Sequence, residues 1–518
     1  MPQRNVYYII VVALISLFLA SRTTFKEQLV REIVQLVRRS SLYSPSQNDV
    51  IEGALDGVAA SVNDEPYTDY LPPLKQTEYL RDMHGQYAGV GLSNFVKDQE
   101  SGEFYFVPFR NTPAARASLK FGDRIVAVDG AKASDKSIFE LIGMLRGEEN
   151  ETVEVTIRPH AYLNHLLSSP NNEEETVVKT LKREVLKQDL VLGDSFKRDG
   201  SWNFVLNEYP EIGYIEIRQF ADDVGTLVVN AISELGQAGI EKLILDFRGN
   251  PGGSLGNAIE ICNALLAKDS PIVETRDARG KTTKFVSVTQ PQKRYKVAVL
   301  IDGDSASASE IVAAALQDAG AAKIVGERSF GKGTVQSILE LPCNLGTLHL
   351  TTSSFWRPSG RPIHRKHGAK PEDDWGVLPD DGYEIVISPV QRFYQSWLRN
   401  ARLSGKPNNP LNDAALELIT KSTQNLSRLL LEGAPEEKAE AALELGLDSS
   451  EFSLISGEYD QASAPGKTEN AAEENTQEHV EIQKLLLTPF VPQGRAPYFD
   501  PQLDRAIDYL RNEANASE

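Results

Sequence analysis

The sequence is short of cysteine, of basic charge and of long apolar runs, and each shortage excludes something. Two cysteines, Cys262 and Cys343, among 518 residues cannot build a disulfide scaffold or a Cys-based zinc site. They suit an oxidising or a reducing compartment equally. Lys and Arg number 54 against 73 Asp and Glu, a net charge of −19, whereas a nucleic-acid binder usually carries a basic stripe. The acidity otherwise bears on solubility and partner choice, not on fold. None of the seven histidines lies in a motif that pairs with a serine, and there is no G-x-S-x-G elbow. No cluster of metal-ligand residues is visible, so neither metal nor cofactor is expected.

The longest apolar run is "VYYIIVVALISLFLA", Val6 to Ala20, preceded by Arg4 and followed by Arg22 and Lys26. A membrane span wants ~20 residues, and a shorter run suits the core of a signal peptide. The cleavage site is poor, because Phe18 stands where a small residue is preferred if the cut follows Ala20. Residues 1–22 are therefore expected to be an export signal, either an uncleaved anchor or a removed leader. A buried N-terminal helix fits the leading Arg less well. The rest of the chain is expected outside the cytoplasm.

A chain this long exceeds one compact core. Apolar pairs at helical spacing (Leu29/Val30, Ile33/Val34, Leu36/Val37) and a second amphipathic stretch near Val50–Val62 make residues 25–80 a helical region. Residues 85–160 read as short strands separated by glycine turns. There "GDRIVAVDG" is a strand ending in an Asp-Gly turn, and "SIFELIGMLRG" a helix stopped by Gly147. From 180 to 395 strands and helices alternate, the pattern of an α/β domain with a parallel sheet. Residues 396–456 read as a helical insertion. Residues 457–483 are polar, acidic and poor in large apolar residues, the composition of a disordered linker. Residues 484–518 form the C-terminal segment.

Two units of the α/β region share a layout. "KLILDF" (Lys242 to Phe247) and "KVAVLID" (Lys296 to Asp302) are continuous apolar runs, as expected for strands buried on both faces. The first leads into "RGNPGGSL" and a helix, the second into "GDSASAS" and a helix starting near Glu310. In a parallel sheet both loops emerge at the carboxyl ends of the strands, where active sites collect. Ser307-Ala-Ser-Glu310 matches a capping box, so its serines have a purely structural reading. The same helix N-terminus would also stabilise charge developing on a nucleophile. A serine needs a base, and in the absence of a suitable histidine the alternative is a lysine. Lys332, between Gly331 and Gly333 in "RSFGKGTVQ", is the candidate. Its pKa of ~10.4 in water must fall by desolvation before it can act. Gln336 lies four positions on. A fully extended strand would separate it from Lys332 by ~13 Å, so its amide can orient the lysine only if the glycine turn folds back.

Together "GDSASASEIVAAALQD", "SFGKGTVQ" and "LDFRGNPGG" resemble the signature segments of the C-terminal processing, or tail-specific, proteases of peptidase family S41. The resemblance implies an α/β protease core with an inserted PDZ domain and a Ser-Lys dyad. In that family the nucleophile stands 25 residues before the lysine, which lands on Ser307. Gln336 matches the glutamine that holds the lysine. The backbone N–H groups of Gly253 and Ala308 match the oxyanion hole. "GVGLSNF" resembles the carboxylate-binding loop of a PDZ domain, which implies that Gly89, Val90, Gly91 and Leu92 bind a substrate tail. Such a domain adds the tail as a strand to its sheet edge. "DPQLDRAIDYL" resembles the final core helix.

The resemblance covers about Glu52 to Asp380 and the last helix. The usual Pro-Asp reads Pro371-Glu372 here, and roughly a hundred residues separate "GAKPED" from "DPQLDRA" where the family commonly has few. The implied protein is a bacterial extracytoplasmic (periplasmic) serine endopeptidase, anchored to the inner membrane by residues 6–20 or secreted after cleavage. Its expected partners are proteins with exposed C-terminal tails and the membrane at its N-terminus, with no nucleic acid. An activating or adaptor protein and an oligomer stay open. Two rivals remain: a PDZ adaptor on an inactive protease scaffold, and a hydrolase of small esters or amides. The first would be favoured by loss of Ser307, Lys332 or Gln336, all of which are present. The PDZ resemblance argues against the second, since a small substrate offers no strand to add.

Overall fold

The computed structural model describes residues 25–43, 45–62, 67–97, 101–120, 123–159, 176–387, 500–512 and isolated positions between 391 and 438. Among these no helix is long and apolar enough to cross a membrane. The apolar run at 6–20 lies outside them, as do the helical insertion and the acidic linker but for isolated positions. The chain divides into two units, Met1–Leu80 with Thr334–Ser354 and Arg81–Gly333 with Phe355–Glu518.

In the first unit, helices span Phe25–Ser40 and Gln47–Ala60. The second starts where Ser46 and Asp49 cap each other: the Asp49 N–H donates to the Ser46 hydroxyl and the Ser46 N–H to the Asp49 carboxylate. Strands Asp69–Leu71 and Thr334–Glu340 both pair antiparallel with Thr347–Trp356. Asp69 faces His349 across the first pair, with Nδ1 and Oδ1 3.0 Å apart.

Two sheets of the second unit differ in character. The first is six-stranded and antiparallel, with Leu92–Lys97 at one end and Val177–Lys182 at the other. Its Asp-Gly turn has φ of 47° at Asp129 and 77° at Gly130, the pair of left-handed corners that closes a two-residue hairpin between Arg124–Val128 and Ala131–Lys132. Helix Ile138–Leu145 begins at a Ser137–Glu140 capping box. Its Leu141 packs with Phe104, Phe106, Ile125 and Val155, all 0% exposed.

The second sheet carries four parallel strands in chain order: Ile212–Ile217, Lys242–Asp246, Lys296–Ile301 and Ala322–Gly326. Alternating side chains of a strand face opposite sides. Ile244, Ala298 and Leu300 face Ala506, Ile507 and Leu510 of the terminal helix Pro501–Arg511. The interleaved Leu243, Leu245 and Val299 are equally buried, which is why these segments are apolar throughout. Helices Val224–Gln237, Leu255–Leu265 and Ala308–Asp318 connect the strands. The carboxyl ends of the two middle strands therefore deliver "DFRGNPGG" and "DGDSASAS" side by side.

Candidate active site

The three serines differ in what they touch. Ser305 is 0% exposed; its hydroxyl donates to the Phe247 carbonyl (2.9 Å) and accepts the Asp302 N–H (2.9 Å). Ser309 is 0% exposed and donates to the Asn250 carbonyl at 3.1 Å. Ser307, between them, is half-buried. It occupies the second position of a turn closed by the Ser309 N–H on the Ala306 carbonyl (3.1 Å), with φ 56° and ψ −112°. These are the angles of a type II′ corner, which favours glycine. A serine there carries strain of ~1–3 kcal/mol and persists only when its surroundings hold it. The Glu310 carboxylate accepts the Ser307 N–H at 2.8 Å, and the Asn250 carbonyl accepts the Ala306 N–H at 3.0 Å.

The double-glycine loop lies directly against this turn. A Cβ on Gly252 would stand 2.5 Å from the Ala306 oxygen, 2.7 Å from Ser307 Cβ and 2.9 Å from the Ala308 nitrogen, at φ +95°. Only glycine permits that approach. Gly253 forms a parallel bridge with Phe220, and the Phe220 N–H donates to the Gly252 carbonyl at 2.8 Å. Asn250, wholly buried, steadies the loop: its amide donates to the Ile217 carbonyl (2.7 Å) and its oxygen accepts the Gly252 N–H (2.8 Å). Ala308 opens its helix, so its N–H points out of the positive end of the helix dipole.

Lys332 is half-buried in a tight turn in which the Gly333 N–H donates to the Gly331 carbonyl at 3.1 Å. A Cβ on Gly333 would fall 2.1 Å from the His364 nitrogen, so the turn is pressed onto the segment that carries His364. One side chain joins this turn to the serine turn, beside a backbone bond from the Phe330 N–H to the Ser305 carbonyl at 3.0 Å. Glu310, 0% exposed, accepts at Oε2 both the Ser307 N–H and the Lys332 N–H, each at 2.8 Å. At Oε1 it accepts the Ser329 hydroxyl (2.6 Å) and the Gly331 N–H (2.7 Å). Burial pushes its carboxyl up to about 7, opposed by those hydrogen bonds. Gln336 belongs to the first unit, where its amide donates to the hydroxyls of Thr334 (2.9 Å) and Thr351 (3.0 Å). Cys262 is wholly buried and its thiol is pushed far up by desolvation, the condition of an inert cysteine.

The neighbouring loop is anchored by charge. Arg248 donates to Asp246 (2.9 and 2.7 Å) and to Asp500 (2.8 Å). Asp500 also caps the terminal helix through the Leu503 N–H at 3.0 Å. Gly89–Leu92, which runs from the end of strand Gln86–Gly89 into the first residue of the edge strand Leu92–Lys97, is buried. The Val90 carbonyl accepts the Ala114 N–H and the Gly91 carbonyl the Phe109 N–H, both at 2.9 Å. Among the described residues Leu92–Lys97 pairs on one side only, with Phe104–Pro108.

The links that sequence reasoning missed are Asn250, the reach of Glu310 beyond its own cap, and the Arg248–Asp500 pair. Glu310 showed itself only as the third residue of a capping box. Asn250 and Asp500 sit inside quoted motifs with nothing to mark their partners.

The profile of peptidase family S41 matches residues 211–380, and that of a PDZ domain residues 110–159. A carboxyl-terminal-processing protease of Picosynechococcus is 30% identical over 367 residues, covering 70% of this chain and 82% of that one. The carboxy-terminal processing protease CtpB of Bacillus subtilis is 29% identical over 339 residues, which is 65% of each chain, so the match spans just under two thirds of that relative. A solved photosystem II D1 C-terminal processing protease matches at 23% identity and a TM-score of 0.39, covering 70% of this chain and 94% of that one. The chain belongs to the carboxyl-terminal processing proteases, which are serine-type peptidases.

Proposed function

We propose that the chain is an endopeptidase that cleaves exported proteins recognised by their C-terminal tails, with Ser307 and Lys332 as its dyad. The observation that carries this reading is the contrast among the three serines: Ser305 and Ser309 are buried and engaged, while Ser307 stands half-buried on a strained corner. Ser307 Oγ attacks the scissile carbonyl carbon, and its proton passes to the neutral amine of Lys332. The carbonyl oxygen, now an anion, is held by the N–H groups of Gly253 and Ala308. Lys332 returns the proton to the leaving amine as the peptide bond breaks, and water then releases the acyl group by the same relay. Gln336 orients Lys332.

Residues 85–160 act as the PDZ domain ahead of a protease core at 180–395, completed by the terminal helix. The tail joins the edge strand Leu92–Lys97, and Gly89, Val90, Gly91 and Leu92 cap its carboxylate. This domain delivers the tail, gates the site, or does both. The apolar run at 6–20, with its flanking cations, supports export and attachment to the inner membrane, or secretion after cleavage.

The test uses the full chain with two forms of an unfolded reporter, one with a free apolar C-terminus and one amidated. Wild type, Ser307→Ala and Lys332→Ala are compared by fragment mass. Only wild type is expected to cut, and to cut the free-tailed form better. Equal silence of all three with the tail still bound would support the adaptor reading.

A further inference from the structure

Glu310 makes more bonds than a helix cap requires. A capping box asks its third residue for one bond, back to the first N–H. Glu310 makes that bond and three others, all to the Ser329–Lys332 segment. The division between its oxygens is specific. Oε1 serves Ser329 and Gly331, while Oε2 alone holds the backbone nitrogens of both Ser307 and Lys332. Ser329 is itself fixed, because its hydroxyl accepts the Val377 N–H at 2.7 Å and its own N–H donates to the Val377 carbonyl at 3.0 Å. The carboxylate thus sits in a fully buried cradle of one hydroxyl and three backbone N–H groups.

We infer that Glu310 is a positioning residue for catalysis: a single carboxylate oxygen sets the register of the nucleophile turn against the lysine turn. The inference rests on the Ser307–Lys332 dyad proposed above. Ser307 lies on a corner that its own residue type disfavours, and Lys332 lies in a turn with glycine on either side. Other bonds also hold these turns, from the Ala306 N–H to the Asn250 carbonyl and from the Arg365 N–H to the Gly331 carbonyl, but the Glu310 carboxylate bonds to the backbone of both. Proton transfer between their side chains depends on a separation that a displacement of 1 Å can spoil, at a cost of ~100-fold in rate. Glu310 touches no substrate, so its loss acts on turnover and leaves substrate binding alone.

The test compares kcat and KM of the full chain and of Glu310→Ala, Glu310→Gln and Ser329→Ala on the free-tailed reporter, well below each melting temperature. Glu310→Ala is expected to lower kcat at least ~100-fold with KM unchanged. In Glu310→Gln the amide oxygen can still face Ser307 and Lys332 while its nitrogen donates to the Ser329 hydroxyl, but the Gly331 N–H loses its acceptor, so kcat is expected to fall about tenfold, well short of the loss in Glu310→Ala. Ser329→Ala leaves Oε2 untouched and is expected to lower kcat by less than about tenfold. A Gln variant as slow as the Ala variant would mean that charge, not hydrogen-bond geometry, is what matters, and would overturn the inference. So would a kcat for Glu310→Ala within about threefold of wild type. If Glu310→Ala does not fold, Glu310→Gln decides: a kcat equal to wild type overturns it. Activity that survives in Ser307→Ala would instead remove the dyad reading beneath it.

Discussion

Asp246 and Glu310 are both fully buried, one at the end of a parallel strand and the other in the first turn of the helix after a parallel strand, and they are satisfied in opposite ways. Burial alone would push Asp246 up, but the Arg248 guanidinium and the Tyr214 hydroxyl hold its carboxyl well below the usual range. Glu310 has as hydrogen-bond partners one hydroxyl and three backbone N–H groups, and burial wins, pushing it up to about 7. The first arrangement is an ion-pair network that fastens the terminal helix to the sheet. The second is a hub between two turns that carry the candidate dyad. An acid paired with arginine secures fold, whereas an acid surrounded by neutral donors fixes local geometry and keeps a charging cost. The double-glycine loop should therefore answer mutation mainly through stability at its Asp246 end. The serine turn should answer mainly through rate.

The largest expected effect is kinetic. Ser307→Ala or Lys332→Ala should lower kcat/KM by at least ~10⁴-fold while the thermal melt stays close to wild type. A melt that falls in step with activity would erase the distinction between the two loops. Next comes Asp246→Ala, which leaves a buried guanidinium facing only Asp500 and Gln502. It should cost ~3–5 kcal/mol of stability by denaturant unfolding, and an unchanged midpoint would contradict the anchoring role. Gly252→Ala should act at the junction of the loops. Its Cβ would strike the serine turn, so kcat should fall ~100-fold with KM nearly constant, measured on the free-tailed reporter.

Much of this arrangement was legible in the sequence, and the boundary of legibility is physical. The strands Lys242–Asp246 and Lys296–Ile301 announce themselves as unbroken apolar runs because both faces are covered. The hairpin at Asp129-Gly130 was readable because the turn dictates its residues. Which of the three serines to pair with Lys332 came from the family resemblance, not from the residues of the turn alone. Arg248 and Asp500 pair across 252 positions, and no local pattern reports such a contact. Glu310 shows a related loss. Its cap is a four-residue motif, but its grip on Gly331 and Lys332 exists only after two separate loops fold together.

A smaller effect should appear in the pH dependence of stability. The folded Glu310 carboxyl holds its proton more tightly than the unfolded chain does, with its value raised from 4.5 to about 7. Its contribution is therefore fully present below about pH 4.5 and is lost as pH rises through about 7. Asp246 runs the other way, contributing above its ordinary value and losing that contribution only on strong acidification. Melting temperatures of wild type and Glu310→Gln between about pH 4 and about pH 8 should show wild type losing ground to the variant as pH rises. A difference that stays flat across the interval would contradict the raised value. The smallest effect concerns the tail: amidating the reporter C-terminus should raise KM about tenfold without changing kcat, if the PDZ loop only delivers substrate.

The most direct test of the account is to find which hydroxyl is the nucleophile. Wild type would be treated with a fluorophosphonate and the peptide spanning 296–323 sequenced by fragmentation mass spectrometry. A single adduct on Ser307, slowed severely by Lys332→Ala, is the predicted result. An adduct on Ser305 or Ser309, or full cleavage by Ser307→Ala, would show that the half-buried Ser307 is not the reacting group.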